Sequence, residues 1–335
     1  MRQANSVGKK VKKGLKITGI TLVTIVVFLL VAGFVYEKAN YNRVDEVYPP
    51  DGEMMSVGGK QLHVNVEGVR TSLPTVIIEA GTGNWSYDWS YVQDQLAERT
   101  RVITYDRAGY GYSDAPGEGF SLDGTVEDLR QVMEAADVTE PVILVGHSAG
   151  GLYTRLFAEK YPDKVAGMVL VDARNEFFEE KAPEYNKAFF DTQDQTFNRL
   201  LASIGVVRFL GQSQLDGQMP YYVDTEKYVN VHWDAPFFKV MDKEIEQLPE
   251  GEAKLKGTSL EDIPLVVISP SMPEMNATEL GFSEEEEQAF AQAWKESQME
   301  LLELSSDSRM MVVYSSHAVM YDQPEVIVEA VLSLR

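Results

Sequence analysis

The sequence of 335 residues contains no cysteine, and this absence excludes several kinds of chemistry. Without a thiol, the chain forms no disulfide, provides no thiolate ligand to a metal and has no cysteine nucleophile. Histidine is also scarce, so few side chains are candidates for a catalytic base. The four histidines are His63, His147, His232 and His317.

Two further absences concern charge near the N-terminus. Residues 1–16 hold six basic side chains and no acidic one, and the 20 residues 17–36 hold no charged side chain. An apolar helix of that length spans about 30 Å, the thickness of a bilayer core. The pattern predicts a cytoplasmic basic stub, a transmembrane helix that acts as a signal anchor, a linker over residues 37–52 and a domain outside a bacterial cell. A cleaved signal peptide is the alternative, although its apolar region is normally shorter.

The remainder of the chain is strongly acidic. The formal net charge is −22, and after residue 16 it is −28, since 24 basic residues there face 52 acidic ones. Such a surface repels phosphate groups, so nucleic acid is not expected as a partner. The four glutamates over residues 284–287 are interpreted as the solvated first turn of a helix. No metal and no cofactor are expected.

Short apolar segments alternate with helical patterns from residue 53 onward. Apolar runs rich in β-branched residues are typical of strands in a sheet that is covered on both faces. The alternation predicts the α/β class, with a mostly parallel sheet flanked by helices. The predicted strands are 60–66, 75–79, 101–105, 141–145, 165–171, 265–269 and 310–314, and the predicted helices are 89–99, 125–136, 150–160, 283–304 and 324–334.

One interval of 90 residues, 173–262, separates two of these strands. A structureless loop of that length is uncommon in a compact domain, so we predict an inserted helical unit. It contains 13 aromatic side chains, which would fill its own core and could line an apolar pocket above the sheet. The predicted domains are therefore a core over 53–172 and 263–335 and a helical cap over 173–262.

The segment from Gly146 to Gly150 reads Gly-His-Ser-Ala-Gly and lies between a predicted strand and a predicted helix. A sharp turn of this kind, the nucleophile elbow, exposes a serine hydroxyl when the neighbouring residues are small. The N-terminus of the following helix favours negative charge that develops at the hydroxyl. Ser148 is therefore the predicted nucleophile.

A serine nucleophile needs a base and an acid. His317 follows the last predicted strand and would lie at the carboxyl edge of the sheet, where active sites of α/β proteins collect. A carboxylate must then fix the imidazole tautomer and stabilise its cation. Asp172, at the end of the strand over 165–171, is the first choice for this acid, and Glu274, after the strand over 265–269, is the alternative.

The oxyanion of an acyl-transfer intermediate needs two backbone N–H donors. Ala149 is predicted to provide one, because it follows the nucleophile directly. Thr82, in the glycine-rich segment after the strand over 75–79, is predicted to provide the other.

Five motifs together resemble the α/β-hydrolase superfamily over residues 53–335. The motifs are EAGTGN (79–84), DRAGYGYS (106–113), GHSAG (146–150), LVDA (170–173) and SSHAVMYDQPEV (315–326). The resemblance is to the branch that contains proline iminopeptidases, haloalkane dehalogenases and small-molecule esterases, whose members carry a helical cap in this interval. Some members have the triad acid where Asp172 stands, which favours Asp172. Haloalkane dehalogenases use an aspartate where this chain has Ser148, so dehalogenation is not expected.

The sequence departs from this family in two places. Glu79-Ala80-Gly81 stands where many relatives have His-Gly, and the segment 270–273 lacks the glycine and aspartate that usually mark the acid after that strand. The second departure weakens the case for Glu274.

The sequence therefore predicts a membrane-anchored extracellular serine hydrolase with a Ser148–His317–Asp172 catalytic triad. An esterase or lipase-like activity on a small-molecule or lipid-like acyl substrate is expected rather than peptidase activity. One alternative is an aminopeptidase of the proline iminopeptidase type, with Glu176, Glu179 or Glu180 binding the substrate amino group. The other is a non-catalytic binding protein that retains the fold.

Overall fold

The computed structural model describes residues 2–117, 119–271 and 277–334, with side chains from residue 15 onward. Its centre is one sheet of eight strands in the order β1-β2-β4-β3-β5-β6-β7-β8. Strand β2 runs antiparallel to β1 and β4, and the other neighbours are parallel. The strands are β1 (Glu53–Val57), β2 (Lys60–Glu67), β3 (Val76–Glu79), β4 (Val102–Tyr105), β5 (Val142–His147), β6 (Val165–Val171), β7 (Leu265–Pro270) and β8 (Ser308–Val313).

The predicted α/β class is confirmed, and each of the seven predicted strands forms. The eighth strand, β1, was not predicted. Most of its side chains are exposed or half-buried, because it lies at the edge of the sheet and pairs with β2 alone. It therefore lacks the apolar run that marks the other strands.

Helices join and cover these strands. They are α1 (Arg2–Tyr41), α2 (Val44–Val47), α3 (Ser90–Ala97), α4 (Leu122–Ala135), α5 (Ala149–Lys160), α6 (Glu176–Lys181), α7 (Pro183–Thr192), α8 (Thr196–Ser203), α9 (Val206–Leu215), α10 (Thr225–His232), α11 (Ala235–Leu255), α12 (Glu284–Glu300), α13 (Val319–Asp322) and α14 (Pro324–Ser333). Helix α12 begins with a capping box, in which Ser283 and Glu286 bind each other's backbone N–H groups.

Two apolar clusters cover the two faces of the sheet. On one face, Leu129 of α4 and Phe157 of α5 pack against inward-facing strand residues. On the other face, Leu96 of α3 and Ile327 of α14 do the same. Alternate residues of each central strand point to opposite faces, so both faces need apolar side chains, as the near-continuous apolar runs predicted.

Six helices, α6 to α11, lie between β6 and β7, in the interval that the sequence assigned to an inserted helical unit. Residues 173–262 are called the insert below. Its long helix α11 packs against α5 of the core and against α8. The turn before β7 then returns the chain to the sheet.

Helix α1 contains one segment, Leu15–Tyr41, that is long and apolar enough to cross a membrane. Its apolar side chains between Ile17 and Val35 are largely exposed. The helix continues to Tyr41 and is followed by the short helix α2, so the segment predicted as a linker, 37–52, is partly helical.

Candidate active site

Ser148 lies at the sharp turn between β5 and α5. Its backbone has φ 52° and ψ −122°, a conformation that a residue with a side chain rarely adopts and that signals local strain. The turn is closed by small neighbours: a Cβ on Gly146 would lie 2.7 Å from the carbonyl oxygen of Gly150, and a Cβ on Gly150 would collide with Glu79 O. The sequence thus folds into the elbow that its glycines predicted.

Hydrogen bonds hold this turn in place. The N–H of Ser148 donates to Val171 O at 3.2 Å, and the N–H groups of Gly151 and Arg174 donate to Ser148 O, each at 3.0 Å. Because α5 begins at Ala149, the N–H of Ala149 has no acceptor within the helix. That N–H therefore remains available at the turn.

His317 and Asp172 meet at the carboxyl edge of the sheet. Nδ1 of His317 lies 2.6 Å from Oδ2 of Asp172, whose side chain is buried, while the His317 side chain is 43% exposed. The indole N–H of Trp294, on α12, donates to Oδ1 of Asp172 at 2.8 Å. The N–H of Asp172 itself donates to Ile268 O of β7, which fixes the residue at φ 41°. The carboxylate is thus oriented toward His317 from two sides.

The ring of His147 contacts the backbone of His317. Its Nε2 lies 2.9 Å from the carbonyl oxygen of His317, so Nε2 carries the proton and donates it. The ring centroids of the two histidines are 4.6 Å apart, and the His147 ring also packs edge-on against Trp89. Burial, and then the neighbouring His317, lower the pKa of His147 to about 3. His147 therefore stays neutral and positions the loop that carries His317.

The loop after β3, residues 80–84, passes directly over the elbow and is called the oxyanion loop below. A Cβ on Gly81 would lie 3.0 Å from Ser148 Cβ and 2.9 Å from His147 Nδ1, so the backbone approaches the serine at a distance that glycine permits. Thr82 follows Gly81, and its hydroxyl oxygen is buried with no hydrogen-bond partner among the described residues. A buried hydroxyl without a protein partner is satisfied by ordered water or by a ligand.

A buried ion cluster lies beneath this loop. One guanidinium nitrogen of Arg107 is 3.0 Å from Glu79 Oε1 and donates to Ala80 O, and the other donates to Gly81 O at 2.7 Å and to Glu244 Oε1 at 2.9 Å. The three charged side chains Glu79, Arg107 and Glu244, called the ionic contact below, are 4% exposed or less.

The ionic contact joins the insert to the oxyanion loop, because Glu244 belongs to α11. The hydroxyls of Tyr153 and Tyr110 also donate hydrogen bonds to Glu244, and the hydroxyl of Tyr105 donates to Glu79. Burial alone would lower the pKa of Arg107, but the two carboxylates outweigh burial and raise it well above its ordinary value. Arg107 is therefore a permanent cation that holds two carbonyl groups of the loop.

A second side chain of the insert reaches the same loop. His232 accepts a hydrogen bond from the N–H of Gly111 at Nδ1, so its Nε2–H donates to Gly83 O at 2.9 Å. The imidazole stacks on Trp85 with a centroid distance of 5.0 Å. Burial lowers the pKa of His232 to about 4, so the ring is neutral at physiological pH.

The structure brings Ser148, Ala149, Thr82, His317 and Asp172 to one edge of the sheet. Glu274, the alternative acid, lies outside the described residues. The remaining histidine, His63, is not part of this group, since its Nδ1 lies 2.9 Å from Asp106 and its Nε2 accepts from Gly52 N.

Sequence reasoning missed four residues that hold this edge together, namely Trp294, Arg107, Glu244 and His232. Arg107 lies in the DRAGYGYS motif, which gave a weak signal of its importance. The others lie in helices with no local motif. Within the described residues, no group of three or more histidine, aspartate or glutamate side chains could hold a metal ion.

Comparison with known proteins supports the fold. The family described as "alpha/beta hydrolase fold" matches residues 74–205, which include the oxyanion loop and the elbow. The chain has the α/β-hydrolase fold. This hydrolase is 24% identical over 251 residues to the uncharacterized protein YbdG of Bacillus subtilis, a match that covers 73% of this chain and 76% of that protein. It is 33% identical over 136 residues to an uncharacterized protein of Mycobacterium tuberculosis, but this match covers only 41% of the chain and 39% of the relative.

Solved structures of similar fold include hydrolases of more than one kind. A mutant epoxide hydrolase from Bacillus megaterium, in complex with its product, aligns with a TM-score of 0.64 at 17% identity, over 84% of this chain and 99% of that one. A thermophilic esterase from Thermogutta terrifontis aligns with a TM-score of 0.55 at 20% identity, over 83% and 96%. At these identities the likeness concerns the fold alone, and one fold carries many different reactions.

Proposed function

We propose that this α/β hydrolase is a membrane-anchored serine esterase whose catalytic domain lies outside the cell. The observation that carries the proposal is the buried Asp172 carboxylate 2.6 Å from His317 Nδ1, at the sheet edge where Ser148 occupies a strained elbow. A serine in a strained elbow and a histidine oriented by a buried acid, at the same edge of a sheet, are the groups that nucleophilic acyl transfer requires.

In the proposed reaction, Ser148 Oγ attacks the carbonyl carbon of an ester and His317 Nε2 takes the serine proton. Asp172 stabilises the imidazolium that results. The N–H groups of Ala149 and Thr82 stabilise the oxyanion. His317 then gives the proton to the leaving alcohol. In the second half of the reaction, water attacks the carbonyl carbon of the acyl-serine while His317 takes a proton from the water. His317 returns this proton to Ser148 Oγ, and the carboxylic acid is released.

The serine also argues against epoxide hydrolysis, the activity named for one of the structural neighbours. If Ser148 opened an epoxide, the product would be an ether between the serine and the substrate. An ether has no carbonyl carbon that water can attack, so the enzyme would be trapped after one turnover. An acyl-serine, in contrast, is readily hydrolysed.

Aminopeptidase activity is the weaker alternative. Of the three glutamates considered for binding a substrate amino group, Glu176 is buried and forms two hydrogen bonds of 2.7 Å with Arg155. Glu180 lies 3.2 Å from Lys256. Glu176 in particular is already paired with a buried cation and gains little by binding a substrate amino group, so the ester substrate is favoured.

The anchor proposal rests on α1, which presents apolar side chains to its surroundings over the length of a bilayer core. The six basic side chains before the apolar run favour a cytoplasmic N-terminus. The catalytic domain would then face the outside.

The full-length chain in detergent, treated with a fluorophosphonate probe, tests the proposed reaction. We expect covalent labelling of the native protein, no labelling of Ser148→Ala, and hydrolysis of p-nitrophenyl esters faster than of a proline arylamide. Equal labelling of the two proteins would contradict Ser148 as nucleophile. Arylamide turnover without ester turnover would favour the aminopeptidase, and a folded native protein that is neither labelled nor active would favour a binding protein.

A further inference from the structure

Helices α8 and α9 of the insert present apolar side chains to the exterior. Phe209 is 76% exposed, Phe197 67%, Leu200 56% and Leu210 46%. These four residues are called the membrane face below. Single exposed apolar residues are ordinary on protein surfaces, but four large ones on two consecutive helices indicate a surface for a binding partner.

The two helices are firmly seated on their other side. Ala202 and Gly211 are buried, and a Cβ on Gly211 would lie 3.0 Å from a methyl group of Val229. The exposed side chains therefore do not result from a loosely packed segment. They lie on the outer side of helices whose inner side is packed.

The turn between these helices contacts the anchor helix. A Cβ on Gly33 of α1 would collide with the carbonyl oxygen of Ile204, and a Cβ on Gly205 would lie 2.9 Å from the ring of Tyr36. Glu37, the next residue of α1, forms hydrogen bonds of 2.9 and 2.7 Å with the guanidinium of Arg208, and both side chains are nearly buried.

These contacts set the height of the insert above the membrane. The uncharged run of α1 ends at Tyr36, and Gly33 lies about 4.5 Å deeper, at about 1.5 Å per residue. If α1 spans the bilayer, the turn at Ile204 and Gly205 lies at the boundary between acyl chains and head groups. Helix α8 ends and helix α9 begins at this turn, so the four exposed side chains lie at most seven residues, or about 10 Å, along a helix from it.

The charge of helices α8 and α9 agrees with a position at the membrane surface. The 21 residues from 195 to 215 contain no acidic side chain and two arginines, of which Arg208 is paired with Glu37, within a body whose net charge after residue 16 is −28. Apolar and aromatic side chains with nearby basic groups and no carboxylates are typical of helices that lie about 5–10 Å deep in the interface of a bilayer. An acidic segment would instead be repelled by anionic lipids.

We propose that the membrane face is a lipid-binding surface, with which the insert rests on the outer leaflet of the same membrane that α1 crosses. This inference depends on the proposed anchoring of α1 and adds a second contact with the bilayer. It holds the insert, and through the ionic contact the oxyanion loop, against the lipid surface, where the substrate would be an ester of a membrane-resident acyl chain.

The absence of cysteine makes the test direct, since a single cysteine can be introduced and labelled with an environment-sensitive fluorophore. We would label Phe209→Cys, Leu29→Cys and Val312→Cys in the full chain, in vesicles of phosphatidylcholine and phosphatidylglycerol. Nitroxide-labelled lipids then quench any fluorophore that contacts acyl chains. Val312 is a matched control, because it is apolar and 57% exposed but lies on β8, at the edge of the sheet.

We expect strong quenching at positions 29 and 209 and little quenching at 312. Quenching at 29 without quenching at 209 would overturn the lipid-binding surface and leave the anchor intact. No quenching at 29 would overturn the anchor, and with it this inference. A fluorophore at 209 that is shielded from water yet not quenched by the lipids would point to a second copy of the chain, which also contradicts the proposal. None of these outcomes depends on esterase activity.

Discussion

Asp172 and Glu244 are both buried carboxylates near the oxyanion loop, and they differ in the donors that reach them. Asp172 faces the imidazole of His317 and the indole N–H of Trp294. Glu244 faces the guanidinium of Arg107 and two tyrosine hydroxyls. A histidine gains and loses a proton near neutral pH, whereas an arginine paired with carboxylates does not. The first carboxylate is therefore suited to a site where charge changes during reaction, and the second to a contact that holds the backbone still.

The largest expected effect is a loss of catalytic rate at Asp172, and it distinguishes the catalytic carboxylate from the structural one. Asp172→Asn keeps the shape of the side chain but removes the charge that stabilises the His317 imidazolium and favours its tautomer. We expect kcat/KM for a p-nitrophenyl ester to fall about 10³–10⁴-fold, with little change in unfolding. Steady-state kinetics and denaturant unfolding in detergent measure the two quantities.

Glu274→Gln is the matched control for that substitution, because it neutralises the alternative acid. We expect it to retain full activity. If Glu274→Gln abolishes turnover while Asp172→Asn remains active, the acid has been assigned to the wrong residue.

The ionic contact should show the reverse pattern, with stability affected first. Arg107→Gln leaves Glu79 and Glu244 buried without a cation, and we expect the free energy of unfolding to fall by about 3–5 kcal/mol. Glu244→Gln should cost less, about 1–3 kcal/mol, because Arg107 keeps its contact with Glu79. Urea unfolding of the detergent-solubilised chain compares the two. Equal and small losses would mean that the cluster does not stabilise the contact between insert and core.

A third prediction concerns pH and the neutral histidine at the elbow. The pKa of His147 is about 3 in the folded chain and about 6.5 when unfolded, so between these values the unfolded state binds a proton that the folded state does not. Stability is thus complete above pH 6.5 and falls as the pH drops toward 3, by at most about 1.4 kcal/mol per pH unit from this group.

His147→Gln tests this term, since an amide can still donate to His317 O but does not titrate. We expect the melting temperature of the variant to depend less on pH between 6.5 and 4 than that of the native chain. Parallel pH profiles would exclude His147 as a source of the dependence.

The strands and the elbow could be predicted because their signals are local. A run such as residues 141–145 is apolar over its whole length, and glycines surround Ser148 at fixed spacing. The edge strand β1 was not predicted, because most of its side chains are not buried and it therefore lacks an apolar run. The ionic contact could not be predicted for a different reason. Arg107 and Glu244 are 137 positions apart, and only the packing of α11 on the core brings them together.

The smallest expected effect concerns Trp294, whose contact with Asp172 also could not be predicted from the sequence, since 122 positions separate the two residues. Trp294→Phe preserves an aromatic ring against Phe178 but removes one hydrogen bond from the carboxylate. We expect about a tenfold loss in kcat/KM, equivalent to about 1.4 kcal/mol. With one donor fewer, the negative charge on Asp172 interacts more strongly with the His317 cation, so the acid limb of the kcat/KM profile should move to higher pH. A loss of rate with an unmoved limb would make Trp294 a packing residue of the core rather than a positioning residue for the acid.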